Sequence, residues 1–400
     1  MSKQIQDAYI VAATRLPVGR RKGMLGHVRP DDMLAHAIRS VMAQVPGLDP
    51  AMVEDVIVGC AMPEAEQGMN VARIGLLLAG LPNSVPGVTV NRFCASGLQT
   101  VAMAADRIRL GEAEVMIAAG TETMSLMNQM MGNKIALNPA IFEKAENYAI
   151  GFGMGITAEK VAAQWKISRE DQDAFAVASN QKACAAIAAG HFKAEISPYA
   201  VKARVPNLQT GEVTVKEYLA ENDEGPRSDS SLAGLARLRP VFAARGSVTA
   251  GNSSQMSDGA AAVLVVSEKI LKQFDLRPLA RFAGFSVAGV APEIMGIGPV
   301  EAIPRVLKRA GIRQDEVDWF ELNEAFAAQA LAVVRTLELD PAKVNPLGGA
   351  IALGHPLGAT GTIRTATLVH GLQRTRQRYG MVSMCIGTGM GAAGLFESLQ

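Results

Sequence analysis

The stretch VTVNRFCASGLQTVAMAADRI, residues 88–108, carries the pattern that decides the fold class. Its first residues form a β-branched, apolar run that is typical of a buried strand. Further along, apolar side chains recur at helical spacing and predict a helix with one buried face; they are Leu98, Val101, Ala102, Ala105 and Ile108. Cys94 lies where the strand gives way to the helix. A strand that leads directly into a helix is the repeating unit of an α/β fold.

Similar units repeat along the chain. AYIVAATR at 8–15, DVIVGCAM at 55–62 and EVMIAAG at 114–120 are nearly continuous apolar runs, which indicates strands buried on both faces. Because these strands alternate with helical patterns, we predict a largely parallel sheet. The alternation resumes after about residue 278. At 400 residues the chain is longer than one hydrophobic core usually supports, so we expect more than one domain.

The composition changes between residues 125 and 250. This part contains polar helical patterns, a charged loop and most of the methionine-rich stretch MSLMNQMMGN at 124–133. We predict that 125–250 form an inserted loop domain. Residues 1–124 together with 251–277 then form an N-terminal half, and residues 278–400 form a C-terminal half.

The two predicted halves resemble each other. VTVNRFCASGLQTV and AKVNPLGGAIALGHPLGATGTIRTATL both run from a Val-Asn strand end into a helix that opens with glycine. Gly97 follows Asn91 by six positions, whereas Gly361 follows Asn345 by sixteen, and the additional piece contains His355. The segments EVMIAAGTE and GMVSMCIGTG each end a strand on Gly-Thr. These matches predict a duplication with two pseudo-symmetric halves.

Charge and cysteine content argue against several classes of function. The formal net charge is +1 and no cluster of basic residues is present, so nucleic-acid binding has little support. The four cysteines are far apart and none forms a CxxC pair, which argues against a zinc site or a disulfide framework and favours a reducing compartment. No secretory or organellar presequence pattern and no bilayer-spanning apolar run is present. We therefore expect a cytoplasmic protein without membrane insertion.

Cys94 is the first candidate for chemistry. At the N-terminus of a helix the free backbone N–H groups and the helix dipole favour an anion, so this position predicts a thiol with a lowered pKa. The same N–H groups can bind an oxyanion that forms beside the sulfur. The alternative is a buried thiol that only fills space, as most free cysteines do.

Two further candidates lie in glycine-rich loops. His355, in GGAIALGHPLGATG, is placed to act as a general base, or else it is a surface-loop histidine without a role. Cys385, in MVSMCIGTGMGAAG, ends a buried strand before a turn that lets a substrate approach the backbone, or else it packs in the core. The glycine spacing after Cys385 matches neither a dinucleotide-binding loop nor a P-loop.

Asn323, in ELNEAFAAQ, lies where another strand meets a helix, and capping that helix is the simpler interpretation. The small, polar segment VTAGNSSQMSDGAAA at 248–262 is typical of a loop that lines a ligand, or of an ordinary turn. All of these residues follow strands. In parallel sheets ligands bind at the carboxyl ends of strands, so we expect the loops of both halves to face one pocket.

Taken together, these motifs resemble the thiolase family, and within it the degradative 3-ketoacyl-CoA thiolases, or acetyl-CoA C-acyltransferases. NRFCASGLQ, NEAFAAQ, GGAIALGHPLGATG and CIGTGMG match the four active-site motifs of that family in order. GMGITAE, LARLRPVF and VTAGNSSQMSDGAA match its substrate-domain and coenzyme-loop segments, so the resemblance spans essentially the whole chain. It implies an α/β fold with five layers, α-β-α-β-α, in which two similar halves carry an inserted loop domain that binds coenzyme A.

The resemblance also implies roles for the candidate residues. Cys94 is expected to be the nucleophile that takes the acyl group as a thioester. His355 is expected to activate it and, with a water held by Asn323, to form one oxyanion hole. Cys385 is expected to be the acid/base that moves the α-proton of the acetyl group. The backbone N–H groups of Cys94 and Gly387 are expected to form a second oxyanion hole.

Matching positions imply the contacts with the substrate. Coenzyme A is expected to meet Arg227 near its adenine-phosphate end, with Phe242, Ala250 and Ser254 further along; Met154 and Phe326 are expected to line the thioester end. Coenzyme A and acyl-CoA are then substrates, and no metal or redox cofactor is expected. Family habit implies a homodimer or a homotetramer, and a partner in a β-oxidation multienzyme complex is a further possibility.

The implied reaction is thiolytic cleavage of 3-ketoacyl-CoA by coenzyme A to acetyl-CoA and a shortened acyl-CoA, in fatty-acid β-oxidation. It proceeds in ping-pong fashion through an acyl-cysteine. Biosynthetic acetoacetyl-CoA thiolases, which condense two acetyl-CoA, are the alternative, but they typically carry histidine where this chain has Gly153. A ketoacyl synthase would not need Cys385. A non-catalytic lipid-binding relative would not need the intact set of motifs.

Overall fold

The computed structural model describes residues 5–127 and 137–399. Within these residues, one ten-stranded mixed sheet forms the frame and a separate two-stranded hairpin lies outside it. Residues 128–133 of the methionine-rich stretch, and with them part of the predicted inserted domain, lie outside the described residues. No helix in the described ranges is long and apolar enough to cross a membrane.

The first part of the chain alternates strands and helices. Its elements are β1 (Ala8–Arg15), β2 (Gly19–Arg20), α1 (Pro30–Ala43), β3 (Asp55–Gly59), α2 (Val71–Leu78), β4 (Gly87–Val90), α3 (Ser96–Arg109) and β5 (Val115–Thr123). The chain then leaves the sheet through α4 (Met124–Met127), α5 (Met154–Gln164), α6 (Arg169–Ala188), β6 (Tyr199–Pro206), β7 (Val213–Ala220) and α7 (Leu232–Ala236). It returns with β8 (Ser257–Ser267) and α8 (Glu268–Gln273).

The last part of the chain forms the remaining side of the sheet. Its elements are β9 (Ala280–Gly289), α9 (Gly298–Ala310), β10 (Trp319–Leu322), α10 (Ala327–Thr336), α11 (Ala350–Leu353), α12 (Leu357–Thr375), β11 (Tyr379–Ile386) and β12 (Met390–Glu397). The sheet order is β10-β11-β12-β9-β1-β8-β5-β3-β4, and β2 pairs with β8.

Both halves of the sheet have the same topology. The first half has the order β4-β3-β5-β8-β1, and the second has the order β10-β11-β12-β9 with a single parallel bridge from Val344 to Phe320 outside β10. We number the strands of each half along the chain, leave out the two-residue β2, and take Val344 as the third strand of the second half. The spatial order across each half is then third, second, fourth, fifth, first. The halves join edge to edge through two residue pairs, Tyr9 with Arg281 and Ile10 with Ala280.

Five layers pack through three hydrophobic cores, of which the central one contacts both half-sheets. Helices α1 and α2 pack on the outer face of the first half-sheet, and α9 and α10 pack on the outer face of the second. The central core, which includes Leu98, Val101, Leu368, Phe282 and Phe396, joins α3 and α12 to both half-sheets. The α-β-α-β-α architecture expected from the sequence is therefore present. Because each half-sheet is covered on both faces, β5 and β8 are buried at every residue.

The expectation of a largely parallel sheet is wrong. Only β3 with β4, β3 with β5 and β10 with β11 are parallel among the named strand pairs of this sheet. The pairs β11–β12, β12–β9, β5–β8, β1–β8 and β1–β9 are antiparallel. A continuous apolar run reports burial on both faces and does not report strand direction, and β11 returns as β12 through a short turn that only antiparallel strands allow.

The central helices approach each other closely because glycine lies at the contact. A Cβ at Gly361 would overlap the backbone of Leu98 and lie 2.8 Å from the carbonyl carbon of Gly97. A Cβ at Gly97 would lie 2.7 Å from the backbone nitrogen of Thr362. This contact brings the first turns of α3 and α12 together, and with them the loops that carry Cys94 and His355.

Candidate active site

The four candidate catalytic side chains lie after strands of the two half-sheets. Cys94 follows β4, and Asn323 follows β10. His355 lies in the segment between the Val344 bridge and α12, and Cys385 is the penultimate residue of β11. The strands β3, β4, β5, β10 and β11 are those with parallel partners. Their carboxyl ends therefore meet at one edge of each half, as the position of the motifs predicts.

A strained turn holds Cys94. Residues Phe93–Ala95 form a single 3-10 turn before α3, and Phe93 has a φ of 44°, a left-handed conformation that is uncommon for a bulky residue. The Asn91 carboxamide oxygen accepts from the Phe93 N–H at 2.8 Å, and the Ser96 hydroxyl donates to the Phe93 carbonyl at 2.7 Å. These bonds fix the backbone that carries the thiol.

The Cys94 thiol is buried, with 9 % of the residue exposed. Burial raises its pKa to about 11, although the backbone amides of Gly387 and Cys94, which hydrogen-bond to the sulfur, act in the opposite direction. The lowered pKa expected from the helix N-terminus is therefore wrong for the resting protein, because loss of water around the sulfur outweighs the amide dipoles. Gly387, selected from the sequence as an oxyanion donor, lies at the Cys94 sulfur.

Cys385 lies close to Cys94. Burial raises the pKa of the Cys385 thiol, and the charge that Cys94 would carry as a thiolate raises it further. Its surroundings are apolar and include Ala158, Val248, Met295 and Phe326. The thiol of Cys385 is therefore protonated in the resting protein.

His355 is buried and held at both ring nitrogens. Its Nδ1 lies 2.6 Å from Thr360 Oγ1, and its Nε2 lies 3.3 Å from Asn323 Nδ2. Burial and the positive charge of Arg364 lower the pKa of His355 to about 3. The imidazole is therefore neutral at physiological pH, and one of its two nitrogens carries a lone pair in place of a proton.

Asn323 lies against His355 and does not act as a simple helix cap. Its backbone N–H donates to the Ser383 carbonyl at 2.8 Å, which ties it to β11. Its side-chain oxygen is buried and has no protein hydrogen-bond partner in the described part of the chain. A buried amide oxygen of this kind is suited to bind a polar ligand atom or water.

Glu324 is a residue that sequence analysis did not select. Its carboxylate accepts from the Ser179 hydroxyl at 2.7 Å, the Asn345 amide at 2.8 Å and the Ile351 N–H at 3.2 Å. It thereby joins the Asn323 loop to α6 and to the segment before His355. Its place directly after Asn323 in the NEAF motif was the only signal in the sequence.

A cavity of about 260 Å³ reaches Ile351, in the segment before His355. It is lined by Arg227 and Ala250, both predicted, and by Gly251 and Gln255, which belong to the segment 248–262 that was expected to line a ligand. The other lining residues, which were not selected individually, are Asn180, Ser230, Leu235, Leu238 and Ile351. The lining combines short polar side chains, aliphatic side chains and one arginine. A few polar groups beside apolar ones are typical of a pocket that binds a small molecule.

Three of the other predicted contacts form an apolar group with Cys385. Phe242 and Phe326 meet edge to face with ring centroids 6.0 Å apart, and Met154 and Phe326 pack against Cys385. Ser254 does not line the cavity; its N–H donates to the Ala325 carbonyl at 3.0 Å. No group of three or more His, Cys, Asp or Glu residues in the described ranges is arranged to hold a metal ion.

Comparison with known proteins gives consistent results. Residues 8–269 match the family described as "Thiolase, N-terminal domain", and residues 276–398 match "Thiolase, C-terminal domain". The chain is 50 % identical to the "3-ketoacyl-CoA thiolase" of Bacillus subtilis (strain 168) over 98 % of its length and 100 % of the relative. It is 45 % identical to the "3-ketoacyl-CoA thiolase A, peroxisomal" of Rattus norvegicus, covering 98 % of this chain and 88 % of that one.

A solved structure is similar as well. The crystal structure of the Bacillus anthracis acetyl-CoA acetyltransferase matches with a TM-score of 0.88 and 38 % identity, and the match covers 100 % of both chains. A "Beta-ketoadipyl-CoA thiolase" of Acinetobacter baylyi is 44 % identical over 98 % of this chain and 100 % of that protein.

Proposed function

The chain belongs to the thiolase family and is an acyltransferase, and from that premise we propose that it cleaves 3-ketoacyl-CoA with coenzyme A through an acyl group on Cys94. The observation that carries this proposal is a pair of buried thiols at the Gly387 amide, together with a neutral imidazole held by Asn323 and Thr360 in a loop that the contact between α3 and α12 brings towards Cys94. Acyl transfer by this route needs a nucleophile, a base and a separate proton donor, and the cluster has one group for each.

The first half-reaction forms the acyl-enzyme. His355 Nε2 takes the Cys94 proton, and the sulfur attacks the 3-keto carbon, whose oxygen is stabilised by the Cys94 and Gly387 N–H groups. The C2–C3 bond then breaks and its electron pair remains on C2 as the enolate of acetyl-CoA. The imidazolium of His355 and a water on Asn323 stabilise the enolate oxygen. Cys385 gives its proton to C2, and acetyl-CoA leaves.

The second half-reaction returns the enzyme to its starting state. The Cys385 thiolate takes the proton of the incoming coenzyme A thiol, which attacks the thioester carbonyl on Cys94. The tetrahedral intermediate expels the Cys94 sulfur, which recovers its proton from His355. The exchange of one thioester for another is nearly balanced, which suits cysteine because a thiolate is both a good nucleophile and a good leaving group.

The raised pKa of Cys94 fits this sequence of steps. Cys94 and His355 are both neutral before substrate binds, so no ion pair has to be maintained in a buried site. Charge appears on the sulfur only when the substrate carbonyl is present to accept it. The amides of Gly387 and Cys94 are already fixed in place to receive that charge, so no reorganisation is needed.

Two observations support the degradative direction and a substrate longer than acetoacetyl-CoA. A Cβ at Gly153 would have no heavy atom within 4 Å, so the chain leaves space where biosynthetic thiolases typically carry histidine. The 50 % identical Bacillus subtilis relative is a 3-ketoacyl-CoA thiolase. Biosynthetic condensation of two acetyl-CoA is the second candidate, and the similarity to the Bacillus anthracis acetyl-CoA acetyltransferase supports it.

One experiment tests the site and the substrate together. The enzyme is mixed with 3-ketoacyl-CoA of increasing chain length, or with 3-ketoadipyl-CoA, in the absence of free coenzyme A, and is then digested for mass spectrometry. We expect an adduct on Cys94 whose mass is that of the substrate acyl group less the acetyl unit, for chains longer than four carbons. Turnover rates are measured across the same series.

Two variants serve as controls. Cys94→Ser is expected to give no adduct. Cys385→Ser is expected to become acylated by acetyl-CoA but to lose exchange of the acetyl α-protons with D₂O. An adduct on Cys385 would contradict the assigned roles, and activity confined to acetoacetyl-CoA would support the biosynthetic candidate instead.

A further inference from the structure

Thr360 contacts the ring of His355 and has no role in the reaction described above. It lies in the first turn of α12, five residues after His355, and is buried with 1 % of the residue exposed. Its hydroxyl lies 2.6 Å from His355 Nδ1 and donates to the Pro356 carbonyl at 3.1 Å. Thr360 is therefore the only described side chain at Nδ1, and it occupies that nitrogen.

We propose that Thr360 is a positioning residue that fixes His355 as the Nδ1–H tautomer, so that the Nε2 lone pair is available to take the Cys94 proton. The inference rests on the proposed function, because it concerns the base in that reaction. A neutral imidazole carries one proton on either nitrogen, and the hydrogen bond at one nitrogen determines which nitrogen is left as the base.

The Nδ1–H tautomer follows from the single proton that the Thr360 hydroxyl can donate. A threonine hydroxyl has one proton and two lone pairs. In a helix this proton commonly goes to the carbonyl four residues earlier, and for Thr360 that carbonyl belongs to Pro356. A hydroxyl whose proton is used in this way can only accept from the ring, so the proton of the ring is at Nδ1.

The opposite side of the ring agrees with the assignment. Asn323 Nδ2 lies 3.3 Å from Nε2, and an amide N–H donates to a nitrogen that carries a lone pair. The two contacts thus form one consistent chain of donors, from Asn323 to His355, to Thr360 and to Pro356. The reverse chain would place a proton on Nε2 and would make His355 a donor before the reaction begins, which would prevent it from acting as a base.

The neutral partner at Nδ1 has a second consequence. A carboxylate at this position would stabilise the imidazolium and raise the pKa of His355. The Thr360 hydroxyl is uncharged and does not stabilise the imidazolium in this way. Burial and the positive charge of Arg364 lower the pKa of His355. The proton taken from Cys94 is therefore returned readily when the sulfur leaves. Meanwhile the ring, held at Nδ1, presents the new Nε2–H to the enolate oxygen without moving.

The tautomer is measured directly in the resting enzyme. The chain has five histidines, and ¹⁵N-labelled histidine gives distinct shifts for protonated and unprotonated ring nitrogens. The His355→Gln variant identifies the signals of His355. We expect the Nδ1–H pattern in the wild-type protein and a mixture of tautomers in Thr360→Val, which keeps the shape of the side chain and lacks the hydroxyl. An Nε2–H pattern in the wild-type protein would overturn the proposal.

Kinetics test the consequence for the reaction. Thr360→Val is expected to lower kcat by about 10- to 100-fold with little change in KM for acyl-CoA, and Thr360→Ser is expected to restore most of the rate. The matched control is Thr365→Val, because Thr365 is buried on the same helix and donates to the Gly361 carbonyl at 2.8 Å without contacting His355. Equal losses of kcat in Thr360→Val and Thr365→Val would mean that Thr360 only supports the helix.

The proposed function and the role of Thr360 are tested by different measurements. If the wild-type enzyme cleaves no 3-ketoacyl-CoA, the proposed function fails. The tautomer measured in the resting enzyme still decides whether Thr360 sets the protonation of His355.

Discussion

At the scale of single residues, burial determines the state of the reactive groups. The thiols of Cys94 and Cys385 have raised pKa values and His355 has a lowered one, so all three are neutral at rest for the same reason, the loss of water around a charge. In the proposed reaction, charge forms in this site during the chemical steps and is absent before them. The amides that receive the charge belong to the backbone and cannot titrate.

The raised pKa of Cys94 predicts how the free enzyme reacts with iodoacetamide. Only the thiolate reacts, and the pKa of Cys94 is about 11, so the thiolate is a small fraction that grows about tenfold with each pH unit below that value. The rate of Cys94 alkylation is therefore expected to increase about tenfold per pH unit from pH 7 to 9. The measurement is the rate of loss of activity, with the labelled site located by mass spectrometry. Cys94→Ser gives the background labelling of the other three cysteines. A rate that levels off below pH 8 would show that the amides outweigh burial.

The structure places Asn323 against His355 and Cys94 near Gly387 and Cys385, residues that the sequence had selected, but the sequence did not predict how they are held. Four separated motifs identified Cys94, Asn323, His355 and Cys385, because each motif combines a reactive side chain with glycine or a strand end. Thr360 was not predicted, because a threonine in the first turn of a helix has no distinctive pattern. The pKa of Cys94 was predicted in the wrong direction, since its sign depends on how much water the fold removes, and neighbouring residues in the sequence do not report that.

At the scale of elements, the contact between α3 and α12 determines whether the site assembles. Cys94 precedes one of these helices and His355 precedes the other. Their first turns touch through glycine, so the separation of the helix axes is set by backbone contact and not by side chains that can adopt other rotamers.

Replacing Gly361 by alanine tests this contact. The added methyl group would overlap the Leu98 backbone, which cannot rotate away, so the helices must separate. We expect Gly361→Ala to lower the free energy of unfolding by about 1–3 kcal/mol and to reduce kcat by displacing His355 from Cys94. The control is Gly47→Ala, because a Cβ at Gly47 would have no heavy atom within 4 Å. Denaturant unfolding and kcat are measured for both, and equal stability of the two variants would contradict the prediction.

The elements themselves were largely predictable, and their directions were not. Apolar runs identified β1, β3, β5 and β8 because these strands are covered on both faces. The same coverage removed the alternation of polar and apolar residues that would have distinguished an antiparallel strand with one face in water. Strand order is decided by contacts between residues far apart in the chain, and no local pattern records them.

At the scale of the whole molecule, β4 leaves one edge of the sheet open. It pairs only with β3 among the described strands. Apolar side chains around it and on the adjacent α2 are exposed, including Met69 at 89 %, Leu78 at 50 % and Val88 at 39 %. An open strand edge with apolar neighbours favours pairing with another chain, and two copies of one strand pair antiparallel about a twofold axis.

We therefore expect a homodimer that pairs through β4. Val88→Lys adds a charge at the centre of this edge and is expected to shift the protein to a monomer in light scattering after size-exclusion chromatography. Leu110→Lys, which adds the same charge at an exposed apolar position at the end of α3, is expected to leave the mass unchanged. A wild-type monomer, or a Val88→Lys dimer, would show that the copies do not meet at β4.

The two halves contact each other crosswise near the carboxyl ends of β5 and β11. The turn after β11 offers the Gly387 amide to Cys94, in front of α3. Glu122, the penultimate residue of β5, has a carboxylate that accepts from the Gly358 N–H in the first turn of α12 at 2.8 Å and from the Ala61 N–H at 2.8 Å. By the topology that the two halves share, β5 and β11 are equivalent strands. The first half therefore has a carboxylate that ties two loops together, whereas the second half has an amide at the Cys94 sulfur.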